Sequence, residues 1–206
     1  MPVDYATAMS RIVAAGIFLD SKNLAPATSG NYSMRLEDGT LALTVSGTHK
    51  GRLGPDDIMR VDAQGQPLES KKPSDEMALH VQLYRMFPEA HAILHVHSVS
   101  GVVLTRHNQK ETLVLTGYEM LKVFPQIKTH DTTLHIPVVE NSQDMTVLTN
   151  ALELRIDNAI PAYLIRNHGF YVWGRNMAEA ERIAEALEYL MVCEMESIKI
   201  KAGACA

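Results

Sequence analysis

Apolar residues recur at helical spacing from 5 to 21, with Met9, Ile12, Val13, Gly16, Ile17 and Leu19 broadly on one face, which predicts an amphipathic first helix. The period then shortens to two. NYSMRL and LALTVS flank EDGT, whose Asp38-Gly39 supplies the turn residues of a hairpin. The loop SGTHKGRLGPDD leads to IMRVDAQGQPLE, which reads as a second short hairpin. Helical spacing returns in KKPSDEMALHVQLYRMFP, with Ser74 as the expected N-cap, an apolar set of Met77, Leu79, Val81, Leu83 and Met86, and Pro88 as the stop.

HAILHVHS reads as a buried strand, SVSGVVLTRH as a helix and TLVLT as a short strand, whereas the pattern does not fix the state of GYEMLKV. LHIPVVE predicts a strand and SQDMTVLTNALELRI a helix capped by Ser142. PAYLIRNHG and FYVWG predict two strands joined around Asn167-His168-Gly169. Residues 176–203 predict one long helix that buries Ile183, Leu187, Leu190, Met191 and Ile198. Strands and helices mix without repeat, linker or low-complexity stretch. The expectation is therefore an α/β fold in one domain spanning 1–206, a sheet covered by helices on both faces.

Composition narrows the function classes. A chain of 206 residues buries a substantial core without staples, and its net charge of -5 offers no basic footprint for nucleic acid or a membrane surface. A small-molecule protein is the default. Cys193 and Cys205 make neither a disulfide framework nor a thiolate metal site, which suits a reducing cytoplasm. The N-terminal stretch carries acids early and spaces its apolar residues helically, so it reads as a helix and not as a secretion signal or a span.

The chemistry begins at HAILHVHS. Side chains alternate faces along a strand, so His95 and His97 point the same way. Two desolvated imidazoles side by side are unfavourable without a shared cation, whereas neutral ring nitrogens suit zinc. A third ligand must come from His49, His80, His91, His107, His130, His135 or His168, and context favours His168. Gly169 beside it lets the backbone bend, and the flanking strands can hold it rigidly. Three histidines leave a zinc position open for substrate, a catalytic arrangement; the alternative is a turn histidine of structural use only. TSGN (28–31) and VSGTHKG (45–51) each pair Ser with Gly, and Lys50 lies nearby. Such loops can cradle a phosphate or be ordinary turns. Ser74 of PSDE adds a hydroxyl at a helix start that favours an anion.

With TSGN, VSG, PSDE, HVHS and NHG in this order, the chain resembles the class II aldolase/adducin family over nearly its whole length. The resemblance implies a three-layer α/β/α fold with a mixed, mainly antiparallel sheet, and one zinc ion per subunit on His95, His97 and His168. It implies a sugar-phosphate substrate held by Ser29, Gly30, Asn31, Ser46, Gly47 and Ser74, with Lys50 alongside. It also implies a homotetramer with active sites near subunit interfaces. GYEMLKVF, IPVVENS and LIRNHGFYVWG look more like the family's methionine-salvage dehydratases than its sugar-phosphate aldolases. That likeness makes the expected activity a hydro-lyase, with Glu119 as catalytic acid/base. The aldolases place their glutamate where Glu76 stands, so aldolase or epimerase chemistry stays open. A non-catalytic, adducin-like interaction module is the third reading.

Overall fold

Period-two alternation sorts the apolar side chains of the strands to the two faces of one sheet. The computed structural model describes residues 2–156 and 160–203. Its strands are β1 Asn31–Arg35, β2 Leu41–Thr44, β3 Ile58–Val61, β4 Ala92–Val96, β5 Thr112–Thr116, β6 Thr133–Val139, β7 Ala162–Ile165 and β8 Gly169–Gly174. They lie in the order β3-β2-β1-β4-β8-β7-β6-β5, antiparallel throughout except where β6 meets β7. The helices are α1 Tyr5–Ser21, α2 Met77–Met86, α3 Val99–His107, α4 Met145–Arg155 and α5 Met177–Gly203.

One face of the sheet, with Met34, Leu94 and Val172, packs on Ile12 of α1, Leu104 of α3 and Leu187 of α5. The other, with Ile93, Tyr171 and Trp173, packs on Leu79 and Leu83 of α2 and Leu148 and Leu152 of α4. This is the expected three-layer α/β/α arrangement. Each such Leu or Ile contributes about 1.5–3 kcal/mol by burial, so the layers hold through area rather than through any one contact. Gly16 sets how closely α1 sits: a Cβ there would fall 2.1 Å from the Lys50 carbonyl oxygen, which lies in the short 3-10 turn Lys50–Arg52.

The structure departs from the sequence pattern in several elements and fixes the one segment that the pattern left open. Beyond β3 the chain returns through one bridge, Val61 to Pro67, flanked by Asp62 N donating to Gln66 O and Leu68 N to Arg60 O; the ladder goes no further because Arg60 N donates to the Glu69 side chain in place of Leu68 O. α2 starts at Met77, after a turn in which the Ser74 hydroxyl accepts from Glu76 N at 3.3 Å, so Ser74 is not the adjacent cap. Asp144, not Ser142, caps α4: its carboxylate reaches the N–H groups of Thr146 (2.8 Å) and Val147 (3.4 Å). Buried positions of α5 end at Met191, leaving Ile198 49% exposed, and Ile17 of α1 is likewise exposed. The unassigned GYEMLKV segment forms the 3-10 helix Glu119–Val123. Cys193 is a free thiol, and Cys205 lies outside the described residues.

Candidate metal centre and active site

β4 lies between β1 and β8, with His95 opposite Asn31 on one side and Tyr171 on the other. His97 follows the strand, its N–H donating to Leu24 O at 3.0 Å, and His168 sits in the tight connection from β7 to β8. One ring nitrogen from each of His95, His97 and His168 falls within 4.8 Å of the others. The Nε2 atoms of His97 and His168 are 3.1 Å apart. Two ligands at 2.0–2.1 Å on a tetrahedral zinc stand about 3.3 Å apart, so this spacing fits a shared ion.

The donor chemistry fits too. His95 Nδ1 donates to Phe170 O at 3.1 Å, which leaves the lone pair on Nε2, and that buried atom has no hydrogen-bond partner among the described residues. It faces Glu76 Oε2 at 3.2 Å, two acceptors in contact, a pairing that a cation between them reconciles. Burial pushes His95 down to about 4 and His97 to about 3, so both are neutral near pH 7, as metal ligands must be.

Two backbone features aim His168. Asn167 adopts the left-handed conformation (φ 58°), so the bend lies at Asn167 and not at Gly169. Gly169 is required for another reason: a Cβ there would meet Val96 O at 2.2 Å. Ahead of them the buried Arg166 guanidinium donates to the carbonyls of Thr105 (2.6 Å) and Asn108 (2.7 Å), clamping the end of α3.

Glu76 stands against the histidines. Its Oε2 accepts from Asn31 Nδ2 at 2.9 Å and from the Tyr171 hydroxyl at 3.2 Å, and Oε1 is 3.6 Å from His168 Nε2. Burial alone would raise its pKa, but His95 and His168, with the Asn31 and Tyr171 hydrogen bonds, hold it at about 2. Tyr171 in turn stacks on His95, with ring centroids 4.3 Å apart.

The three polar loops meet at the same end of the sheet. Lys50 Nζ donates to Thr28 O (2.9 Å) and Thr48 O (2.6 Å), joining the first two. Ser46 N donates to Lys72 O at 3.0 Å, and Asn31 Nδ2 to Ser74 Oγ at 3.1 Å, which brings in the third. Lys50 is 1% exposed, and burial lowers its pKa to about 8. The Ser29 hydroxyl donates to Pro26 O at 2.7 Å. Both Asn31 Nδ2 hydrogens are likewise engaged, by Ser74 and Glu76. Without substrate, those two side chains brace the loops through these bonds. Ser74 only accepts, so its own proton is available among the described residues, as are the Ser46 hydroxyl and the loop N–H groups around Gly30 and Gly47, both at positive φ.

Glu119 is elsewhere. It is exposed, and pairs with Lys122 and with His130 at 3.6 Å. Its segment packs Leu121 and Phe124 into the α1/α3/α5 layer, the face opposite Tyr171 and Glu76. One chain therefore assembles the three histidines with Glu76 and not with Glu119. Tyr171, Ser33 and Tyr84 escaped the sequence reading. Tyr171 carried a usable signal, since FYVW alternates and places it on one face with Trp173.

The profile of the Class II Aldolase and Adducin N-terminal domain matches residues 10–195. A methylthioribulose-1-phosphate dehydratase from Methylococcus capsulatus is 46% identical over 200 residues, covering 96% of this chain and 98% of that one. The dehydratase of the same name from Marinobacter nauticus is 44% identical over 201 residues, covering 96% and 97%. Among solved structures, the L-fuculose-1-phosphate aldolase from Thermus thermophilus superposes with a TM-score of 0.74 at 24% identity, covering 94% of this chain and 95% of that one, a likeness of fold.

Proposed function

The chain belongs to the class II aldolase and adducin family, and on that premise we propose that it is a methylthioribulose-1-phosphate dehydratase, a lyase of methionine salvage. The observation that carries the site is the convergence of His95, His97 and His168 beside Glu76, at the sheet end where the three polar loops meet. Those histidines would hold a divalent ion, zinc being the best match to an all-imidazole set. When bound, the ion supplies a Lewis acid that makes the proton next to the substrate carbonyl easier to remove.

The chain's own residues do the rest. The reaction takes the C3 proton, releases the C4 hydroxyl as water, and leaves an enol that becomes the 2,3-diketone. It needs one group to accept a proton and one to supply a proton to the leaving oxygen. Glu76, anionic and held by Asn31 and Tyr171, is placed to accept or return one. Glu119 serves the site of a neighbouring subunit in a homotetramer, which accounts for its position on the opposite layer. Lys50 holds the loops around the phosphate, with Ser46, Ser74 and the N–H groups near Gly30 and Gly47 as donors. The compartment is the cytoplasm.

The position of Glu76 favours a second reading, sugar-phosphate aldolase or epimerase chemistry, in which Glu76 alone does the proton transfers. Incubation with 5-methylthioribulose 1-phosphate and with ketose 1-phosphates separates the two. The dehydratase should form the diketone phosphate, and Glu119→Gln should lose about 10²–10⁴-fold in turnover. Mixing inactive Glu119→Gln and His97→Ala subunits should restore activity, because some interfaces then pair intact histidines with an intact Glu119. Cleavage without dehydration, with Glu119→Gln near wild type, refutes the assignment; dehydration without recovery on mixing refutes the shared site.

A further inference from the structure

Behind Glu76 lies a line of buried polar side chains that the reaction does not touch, and the polarity of each bond in it is forced. The Glu76 carboxylate only accepts, so the atom of Asn31 that faces it at 2.9 Å must be the amide nitrogen. The Asn31 amide oxygen then faces His80 Nε2 in a short hydrogen bond, and an amide oxygen cannot donate. Nε2 therefore carries the hydrogen. His80 Nδ1 must accept, and it does so from the Ser33 hydroxyl at 2.7 Å, whose oxygen takes the Tyr84 hydroxyl proton at 3.0 Å. His80 is fully buried, and burial holds its pKa at about 3, so a second ring proton does not blur the assignment.

We propose that His80 is a positioning residue: as the Nε2–H tautomer it locks the Asn31 amide with its NH₂ group towards Glu76, and so fixes that carboxylate against His95 and His168. The alternative amide orientation would set the Asn31 oxygen against Glu76, acceptor to acceptor. A donor at residue 80 adds a second penalty to that flip, because the amide NH₂ would then face Nε2–H, donor to donor. Ser33 and Tyr84 keep the donor on the correct nitrogen. An outer partner of this kind, when removed, costs about 10–100-fold in metal affinity or activity. The inference rests on the reading that Glu76 works in the site.

The test has a spectroscopic and a functional arm. Side-chain nitrogen NMR of the zinc-loaded protein should show His80 protonated on Nε2 alone; the Nδ1–H tautomer, or exchange between the two, overturns the proposal. His80→Leu should lower zinc affinity, measured by competition with a chromophoric chelator, and kcat, each by about 10–100-fold with KM little changed. His80→Gln, which keeps a donor, should recover most of both, and Asn31→Asp, which lacks the amide donors, should match His80→Leu. Equal losses in His80→Leu and His80→Gln that follow only the folded fraction assign His80 a purely structural role and refute the proposal. If His80→Leu does not fold, Ser33→Ala, which releases the tautomer, takes its place with a smaller loss in the same two quantities. Glu76→Gln separates the layers of the argument. If it changes neither zinc affinity nor turnover, the reading of Glu76 fails; if it is damaging while the His80 variants are silent, the relay alone fails.

Discussion

Gly169→Ala should damage the metal centre more than the fold. A Cβ at 169 would lie 2.2 Å from Val96 O and 3.1 Å from Val96 C, atoms of the β4 backbone that no rotamer change can move. Carbon and carbonyl oxygen meet comfortably at about 3.3–3.6 Å, so the start of β8 must retreat from β4 by about 1 Å. Overpacking of this kind costs about 1–3 kcal/mol, and a backbone-to-backbone clash belongs at the upper end. The same shift carries His168 away from His95 and His97, and a displacement of about 1 Å in a reacting constellation costs on the order of 10²-fold in rate. Urea unfolding in chelator measures the first effect; zinc competition and turnover measure the second. Gly39→Ala is the control: its φ is +84° but no atom of the described residues lies within 4 Å of the added Cβ. It should lose about 1–2 kcal/mol through backbone strain, with zinc affinity and turnover intact. Unchanged zinc affinity in Gly169→Ala, or its loss in Gly39→Ala, would refute the argument.

His97→Ala should release the metal and abolish turnover while the metal-free protein still unfolds cooperatively; metal analysis beside a urea curve checks both, and loss of cooperative unfolding would mark the site as structural. Lys50→Met should leave the carbonyls of Thr28 and Thr48 without their donor, at about 1–3 kcal/mol each, and raise KM for the phosphorylated substrate more than it lowers kcat. Steady-state kinetics and unfolding on the same samples read the two effects. His80 has an ordinary value of 6.5 and a folded value of about 3, so between those limits the unfolded chain binds a proton that the folded chain does not. Its contribution to stability is thus intact above pH 6.5 and is lost as pH falls towards 3, at up to about 1.4 kcal/mol per pH unit. Unfolding curves of the metal-free protein from neutral to acid pH should show this slope, and His80→Leu should flatten it by that amount; an identical slope in the variant would contradict a neutral, buried His80.

What was legible in the sequence is what local geometry decides. HAILHVHS put His95 and His97 on one face because strand side chains alternate, and the helical runs placed α1 to α5 because their apolar spacing is periodic. Caps were less legible: Ser142 and Asp144 compete two residues apart, and the charged group that reaches two N–H groups prevails. The short hairpin expected at 58–69 shrinks to a single antiparallel bridge, because the Glu69 side chain takes the Arg60 N–H, a competition that alternation does not show. Ile198 looked buried because periodicity shows which face a residue occupies but not where the underlying layer ends. That His168 meets the other two histidines depends on β8 lying beside β4, a long-range pairing that no local pattern contains.

The same limit explains the two glutamates. Asn31, His95, Tyr171 and Tyr163 face one another in register across β1, β4, β8 and β7, four strands far apart in the chain, and together they form one row on the α2 face of the sheet. Glu76 comes to that row from the start of α2, with His80 one helical turn behind it, so the sequence could relate these two to each other but not to Asn31. Glu119 follows β5, at the far edge of the sheet, and its 3-10 helix packs against α5, where the Tyr118 hydroxyl donates to Glu194 at 2.9 Å. A carboxylate there cannot join the row without unpacking Leu121 and Phe124 from the core. Dehydration with two glutamates therefore requires assembly: a second copy has to bring its Glu119 to this row, beside Glu76.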